Sequence, residues 1–239
     1  MPPFDAVLFD LFDTLCHLDA GPYLEGKRRS ARALGLDPER YFQAWLSLQD
    51  RCQVGALLGV EARIRESCAL LGRGITAREL DEIRGLEEEA LRASARLHAD
   101  VVPTLVSMRA RAGLKLALVS NASSPARELT RRLGLDPFFD TLVYSFEIGS
   151  MKPQAPIYLA ACDRLSVSPE ACLFVGDGND RELEGAIELG MTAIRIERPD
   201  AMEHYRRHPS DRWDHSVRNL GEIARLLEDR QFSAGESIS

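Results

Sequence analysis

Six residues could do chemistry together, and each lies at or just beyond the end of an apolar run or in a loop. Asp10 closes the run Ala6 to Phe9. An aspartate held at the carboxyl end of a strand can attack an electrophile and form a covalent ester or acyl phosphate. Thr14, four positions on, is placed to hydrogen-bond that carboxylate or to pin the tight turn after the strand. Ser120 and Asn121 follow the run Leu114 to Val119 and offer a hydroxyl, an amide and backbone N–H groups to phosphate or carboxylate oxygens. Lys152, between Met151 and Pro153, offsets the charge of the nucleophile and of a developing oxyanion. Asp177, after the run Cys172 to Val175, is a hard oxygen ligand for Mg2+ opposite Asp10. Each alone has a plainer reading: a strand ending in turn chemistry at Asp10, a helix lead-in at Ser120-Asn121, a solvated loop at Lys152.

Their joint meaning depends on the elements that carry them. After Thr14 the pattern turns helical. A helix from Tyr23 to Leu34 stops at Gly35, and Pro38 opens another with Tyr41, Phe42, Trp45, Leu46 and Leu48 as its stripe. A third runs from Leu57 to Leu71, and Thr76 with Glu79 forms a capping box for a run to about Ala95. No strand is read between Ala20 and Leu97. Strand and helix then alternate: strands at Leu114 to Val119, Thr141 to Tyr144 (near a sheet edge), Cys172 to Val175 and Thr192 to Ile196. The helices between and after them run Thr104 to Ala112, from Ser124-Pro125 to Gly134, Pro156 to Leu165, Arg181 to Leu189 and Leu220 to Leu227. The tail from Arg230 is polar and is read as frayed. Such alternation predicts an α/β fold with a mostly parallel sheet and helices on both faces. Right-handed crossovers bring Asp10, Ser120, Lys152 and Asp177 to one edge.

Composition narrows the function classes. The 239 residues carry a net charge of −7 and no basic run, which argues against capture of nucleic acid or acidic membranes. Five cysteines, Cys16, Cys52, Cys68, Cys162 and Cys172, show neither CxxC nor metal-ligand spacing and read as reduced thiols in a cytoplasm. Neither a leader nor a membrane-spanning stretch is read in the sequence. The expected partner is a small anionic substrate, for a monomer or homodimer.

Phe9-Asp10-Leu11-Phe12-Asp13-Thr14-Leu15, Val119-Ser120-Asn121, Met151-Lys152-Pro153 and the stretch Phe174 to Ala186 resemble, in order and spacing, the four motifs of the haloacid dehalogenase superfamily. The resemblance covers the whole core. It implies a Rossmann-like core of residues 1–15 and 97–239 with the first strand central, and an inserted all-helical cap of residues 16–96 that closes over the site and excludes water. It also implies hydrolysis through an aspartyl intermediate, with Mg2+ held by Asp10, Asp177 and the backbone carbonyl of Phe12.

The pattern departs from the family at telling places. Phosphatases of this family carry a second Asp two residues after the nucleophile, where it protonates the leaving group; here that residue is Phe12. Asp13 lies one position later, and strand alternation points it away unless a bulge re-aims it. The family's dehalogenases resemble this departure, with an aromatic at that place and no metal, and Lys152, Tyr158, Ser120 and Asn121 also suit them. Against them stands Asp177, since a carboxylate facing Asp10 without a cation repels both the nucleophile and a carboxylate substrate. Glu182 stands where the family usually has an Asp, with Asn179 and Asp180 as nearby substitutes. Three readings follow in order: an Mg2+-dependent hydrolase of small phosphate monoesters, a metal-independent 2-haloacid dehalogenase, and a binding or regulatory module that lost the chemistry.

Other residues carry less. Tyr158 sits on an amphipathic helix and reads as packing, as does Cys16. His204 and His208 share i, i+4 spacing beside Pro209 and several arginines, which suits an exposed segment better than a metal site. His17 and His98 flank the helical block, and Arg28, Arg29, Arg32 and Arg65 read mostly as its solvated face.

Overall fold

The computed structural model describes residues 4–199 and 208–227. Strand β1 (Ala6–Phe9) is followed by β2 (Cys16–Leu18) and five helices: α1 (Ala20–Ala33), α2 (Pro38–Ser47), α3 (Gln49–Gln53), α4 (Val60–Leu70) and α5 (Ala77–Ser94). Then come β3 (Ala95–Leu97), α6 (Val101–Arg109), β4 (Lys115–Ser120), α7 (Pro125–Arg132), β5 (Thr141–Tyr144) and α8 (Ser145–Ile148). The chain continues through α9 (Ala155–Leu165), β6 (Cys172–Gly176), α10 (Glu182–Glu188), β7 (Thr192–Ile196), β8 (His215–Val217) and α11 (Leu220–Leu226).

Six strands form one sheet in the order β5-β4-β1-β6-β7-β8, every pair parallel. β1 lies between β4 and β6, and all four of its residues are buried. Alternation sends Val7 and Phe9 to one face, where they pack with Leu105 of α6 and Leu220 and Ile223 of α11. Ala6 and Leu8 go to the other face and meet Ile157 and Ala161 of α9 and Leu183 of α10. The sheet is a doubly covered α/β layer, as a near-continuous apolar β1 requires.

The helices α1 to α5 form the inserted helical cap, with a core of its own around Tyr41, Trp45, Ile64, Cys68, Leu80 and Ile83. The capping box is present: the Thr76 hydroxyl accepts from the Glu79 N–H, and the Glu79 carboxylate accepts from the Thr76 N–H. Gly26 of α1 lets that helix lie directly on Ala90 of α5. Inside the cap Lys27 pairs with Glu87, and its ammonium sits 3.7 Å from the centre of the Trp45 ring.

Several details differ from the sequence reading. The cap is entered and left through an antiparallel pair, with Cys16 opposite Leu97 and Leu18 opposite Ala95. Three residues per strand are too few to show a period, so β2 went unread and β3 merged with the end of a helix. β8 escaped for the same reason. α4 starts at Val60 rather than Leu57, because Gly55 and Gly59 adopt φ of +73° and +86° and break the run. α6 starts at Val101, with Pro103 inside its first turn where no N–H is required.

Candidate active site

The parallel sheet brings the ends of β1, β4 and β6 side by side. The Asp10 N–H donates to the Val175 carbonyl at 2.9 Å, so the first residue beyond β1 is still held by β6. Its carboxylate is almost wholly buried and accepts from the Lys152 ammonium at 2.5 Å. The same ammonium donates to Glu182 Oε2 at 2.5 Å, so one lysine bridges two carboxylates. Asp177, also buried, completes a group in which carboxylate oxygens of Asp10, Asp177 and Glu182 lie within 4.8 Å of one another.

These groups are held by their neighbours. Asn121 spends its side chain on the lysine loop, donating to the Lys152 carbonyl at 3.0 Å and accepting from the Lys152 N–H at 2.7 Å. It also donates to Asp180 at 3.2 Å. Glu182 Oε1 accepts from the Gly178 N–H at 3.0 Å, and the Tyr158 hydroxyl donates to the Glu182 carbonyl at 2.7 Å. Tyr158 also packs edge-on against Phe174, so its packing role includes fixing Glu182. The Ser120 and Thr14 hydroxyls are buried and make no hydrogen bond within the described residues. Thr14 is pinned instead through its carbonyl, which accepts from Arg198 at 3.1 and 2.8 Å.

Electrostatics follow from burial. Desolvation pushes the Asp10 carboxyl above its ordinary value; Lys152 opposes this and Asp177 adds to it. Glu182 is pushed well up by the same desolvation, again against Lys152 and with Asp10 and Asp177 adding. Lys152 is itself disfavoured by burial, yet Asp10 and Glu182 carry its ammonium above the usual lysine range. Among the described residues, three buried carboxyl groups gather around one ammonium and put several oxygen donors close together. That donor set fits a small divalent cation such as Mg2+, and the Phe12 carbonyl belongs to a residue lining the same cavity.

The cavity holds about 120 Å3 and is lined by Asp10, Asn121, Lys152, Asp177 and Glu182 among others. Asp13 lines it too: φ of +55° turns the chain after Phe12, and the Phe12–Cys16 bridge closes that turn, which re-aims the residue that strand alternation pointed away. Asp180 and Arg181 likewise adopt φ of +52° and +54°, so strained backbone gathers on both sides of the nucleophile.

A family profile for haloacid dehalogenase-like hydrolases matches residues 4–190. The chain belongs to that family. Among curated relatives, a glyceraldehyde 3-phosphate phosphatase of Methanopyrus kandleri is 36% identical over 134 residues, covering 54% of this chain and 57% of its own. The chain thus spans little more than half the length of the first such relatives. An (S)-2-haloacid dehalogenase of a Pseudomonas species is 28% identical over 232 residues, covering 95% of this chain and 98% of its own. Among solved structures, a 2-haloacid dehalogenase from Pseudomonas syringae superposes with a TM-score of 0.69 at 25% identity, over 93% of this chain and 97% of the other. This haloacid dehalogenase-like chain is therefore a hydrolase fold similar to both phosphatases and dehalogenases.

Arg28, Arg29, Arg32, Arg65, Cys16, His17 and His98 are not among the residues lining the cavity. Arg28 and Arg32 pair with Glu25 and Arg29 with Glu89 on the exposed face of the cap, and Arg65 is exposed. Cys16 is buried, and burial pushes its thiol up to about 12. All five cysteines are buried and unpaired in disulfides. His17 lies 3.8 Å from Asp13, with its ring 6.2 Å from that of His98. His204 falls outside the described residues, and His208 is exposed. No helix among the described residues is long and apolar enough to cross a membrane. Two residues gave no signal in sequence: Gln53, which lines the cavity from the cap, and Arg198, which holds the loop after the nucleophile.

Proposed function

We propose that this chain is a cytoplasmic, Mg2+-dependent hydrolase of small phosphate monoesters, working as a monomer or homodimer. The observation that carries this is Asp177, a buried carboxylate that stands with Asp10 and Glu182 in one group of oxygen donors, two of them bridged by the Lys152 ammonium. A metal-independent dehalogenase would have to bring a carboxylate substrate up to that group of acidic side chains. The phosphatase names of two relatives and the five reduced thiols are consistent with it.

In this reading Asp10 attacks phosphorus. A bond forms from its carboxylate oxygen, and the bond to the leaving alkoxide breaks. Water then attacks the aspartyl phosphate, releasing inorganic phosphate and restoring the carboxylate. Lys152 holds Asp10 in line and neutralises charge on the transferring group. The buried Ser120 hydroxyl receives phosphate oxygens, while Asn121 keeps Lys152 in place. Thr14 shapes the turn beneath the nucleophile. Asp10, Asp177 and the Phe12 carbonyl would hold Mg2+, which when bound offsets charge on the phosphoryl oxygens. Phe12 offers no proton to the leaving alkoxide, so solvent supplies it. The cap, residues 16–96, closes over the cavity.

Phe12 itself favours the second reading, the 2-haloacid dehalogenase, because halide leaves without a proton. The test is release of phosphate from an aryl phosphate with and without Mg2+, alongside chloride release from 2-chloropropionate. We expect phosphate release that stops in EDTA and in Asp10→Asn. Chloride release that continues in EDTA would replace this reading with the dehalogenase.

A further inference from the structure

Another cavity, of about 350 Å3, lies on the seam between cap and core and shares no lining residue with the one around Asp10. The cap supplies the start of α4 and one face of α5, and the core supplies Ser124 and one face of α7. On both α5 and α7 the lining positions recur at three- and four-residue spacing, so each helix turns a single side to the cavity. Cap and core are fastened at its edge. The Gly59 N–H, just before α4, donates to the Ser124 hydroxyl, just before α7, at 2.9 Å.

The lining divides by chemistry. Val60, Leu91, Pro125 and Leu129 are buried or half-buried and make it apolar inside, whereas its charged residues are exposed and stand at the mouth. Two of those are acids, and each is engaged on its own helix. Glu88 pairs with Arg84 at 3.3 Å, and Glu128 accepts two N–H bonds from Arg131 at 2.9 Å each. The other two, Arg92 and Arg132, one from each side of the seam, make no ion pair among the described residues. The volume falls within the roughly 300–1,000 Å3 of pockets that hold small molecules, which the cavity around Asp10 does not reach. A ligand with an apolar body and one anionic end matches both halves of this lining. Its body takes apolar surface out of water, and its carboxylate accepts from guanidinium N–H groups.

We propose that this cavity binds a small amphiphilic anion, its apolar chain between α5 and α7 and its carboxylate on Arg92 and Arg132, at a site separate from hydrolysis. The proposal does not depend on which reaction occurs at Asp10. The test is calorimetric titration of the full chain with octanoate and with octylamine, which share a chain length and differ in charge. Octanoate should bind and octylamine should not. Arg92→Gln and Arg132→Gln should each weaken octanoate by about tenfold, the worth of one charge-assisted hydrogen bond. The double variant Arg92→Glu with Arg132→Glu should prefer octylamine, a gain that a misfolded protein cannot show. Equal affinity for the two probes overturns the proposal. So does octanoate binding that neither glutamine variant weakens, which places the anion elsewhere on the chain. Light scattering covers the remaining occupant: a dimer of the parent that the double variant breaks, with no octanoate bound, gives the cavity to a second copy and overturns the small-ligand site.

Discussion

Beneath the cavity, two carboxylates share one ammonium and a third, Asp177, lies beside them, which makes the third testable. Asp177→Asn removes one negative charge while its side-chain oxygen still accepts from the Asn179 N–H, now 3.1 Å away. Without added metal the variant should melt at a higher temperature than the parent, because one repulsion among buried carboxylates is gone. Its Mg2+-dependent turnover should fall by about 10- to 100-fold. Thermal melts in EDTA and turnover across a Mg2+ titration check both halves, and a lower melting temperature in EDTA would contradict the repulsion argument. Phe12→Asp should raise turnover of alkyl phosphates about tenfold or more, since general acid catalysis typically contributes 10² or above. An unchanged rate would mean that proton supply does not limit the reaction.

Among the elements, the cap rests on how closely α1 lies on α5. Gly26 touches Ala90 so closely that a Cβ at 26 has no room, whereas Gly85, in the middle of α5, faces open space. Gly85→Ala should therefore stabilise by about 0.5–1 kcal/mol, the usual gain from removing a helix-interior glycine. Gly26→Ala gains the same propensity but must push the helices apart, and should destabilise by about 1–3 kcal/mol net. Urea midpoints of the two variants should move in opposite directions. Both glycines look alike in sequence, as glycines inside helical runs. Only the packing of α1 on α5 separates them.

Across the whole molecule, Arg198 ties together parts that are far apart in the chain. Beyond β7, it donates twice to the Thr14 carbonyl and twice to the Asp100 carboxylate, at 3.0 and 2.9 Å. Asp100 also accepts from the Leu220 N–H at 2.7 Å, so the loop after the nucleophile, the exit of the cap and α11 meet at one guanidinium. Burial pushes the Asp100 carboxyl up, but Arg198 and the Leu220 N–H outweigh it and hold it below its usual value. A carboxyl depressed in the folded state contributes stability above its unfolded value, about 3.9, and loses it as pH falls through the folded one. Asp100→Asn should cost about 1–3 kcal/mol near pH 7. Its melting temperature should also fall less steeply than the parent's below pH 4. Melts between pH 3 and 7 check this, and parallel curves would show that Asp100 does not contribute to acid sensitivity.

The strands that carry Asp10, Ser120 and Asp177 were legible because each is a buried apolar run ending in a polar residue, and parallel strands with right-handed crossovers leave their ends on one edge. Five of the six strands of the parallel sheet and most of the inserted helices follow from period and capping signals that are local in the chain. Other features had no local signature. Glu182 pairs with Lys152 across 30 residues, Arg198 with Thr14 across 184, and Gln53 reaches Asn121 across 68. Nor did β2, β3 and β8, three residues each, which become strands only by pairing. Asp13 is the mixed case. Its residue type was plain in the chain, yet its direction was set by a left-handed turn and the Phe12–Cys16 bridge. The sequence by itself determined that this chain is a haloacid dehalogenase-like hydrolase with Asp10, Ser120, Lys152 and Asp177 at strand or loop ends, because residue type and strand-end position are local properties. The tertiary structure decided which charges share a proton donor, which cap residue faces the cavity and where Asp13 points, because those depend on contacts between distant segments.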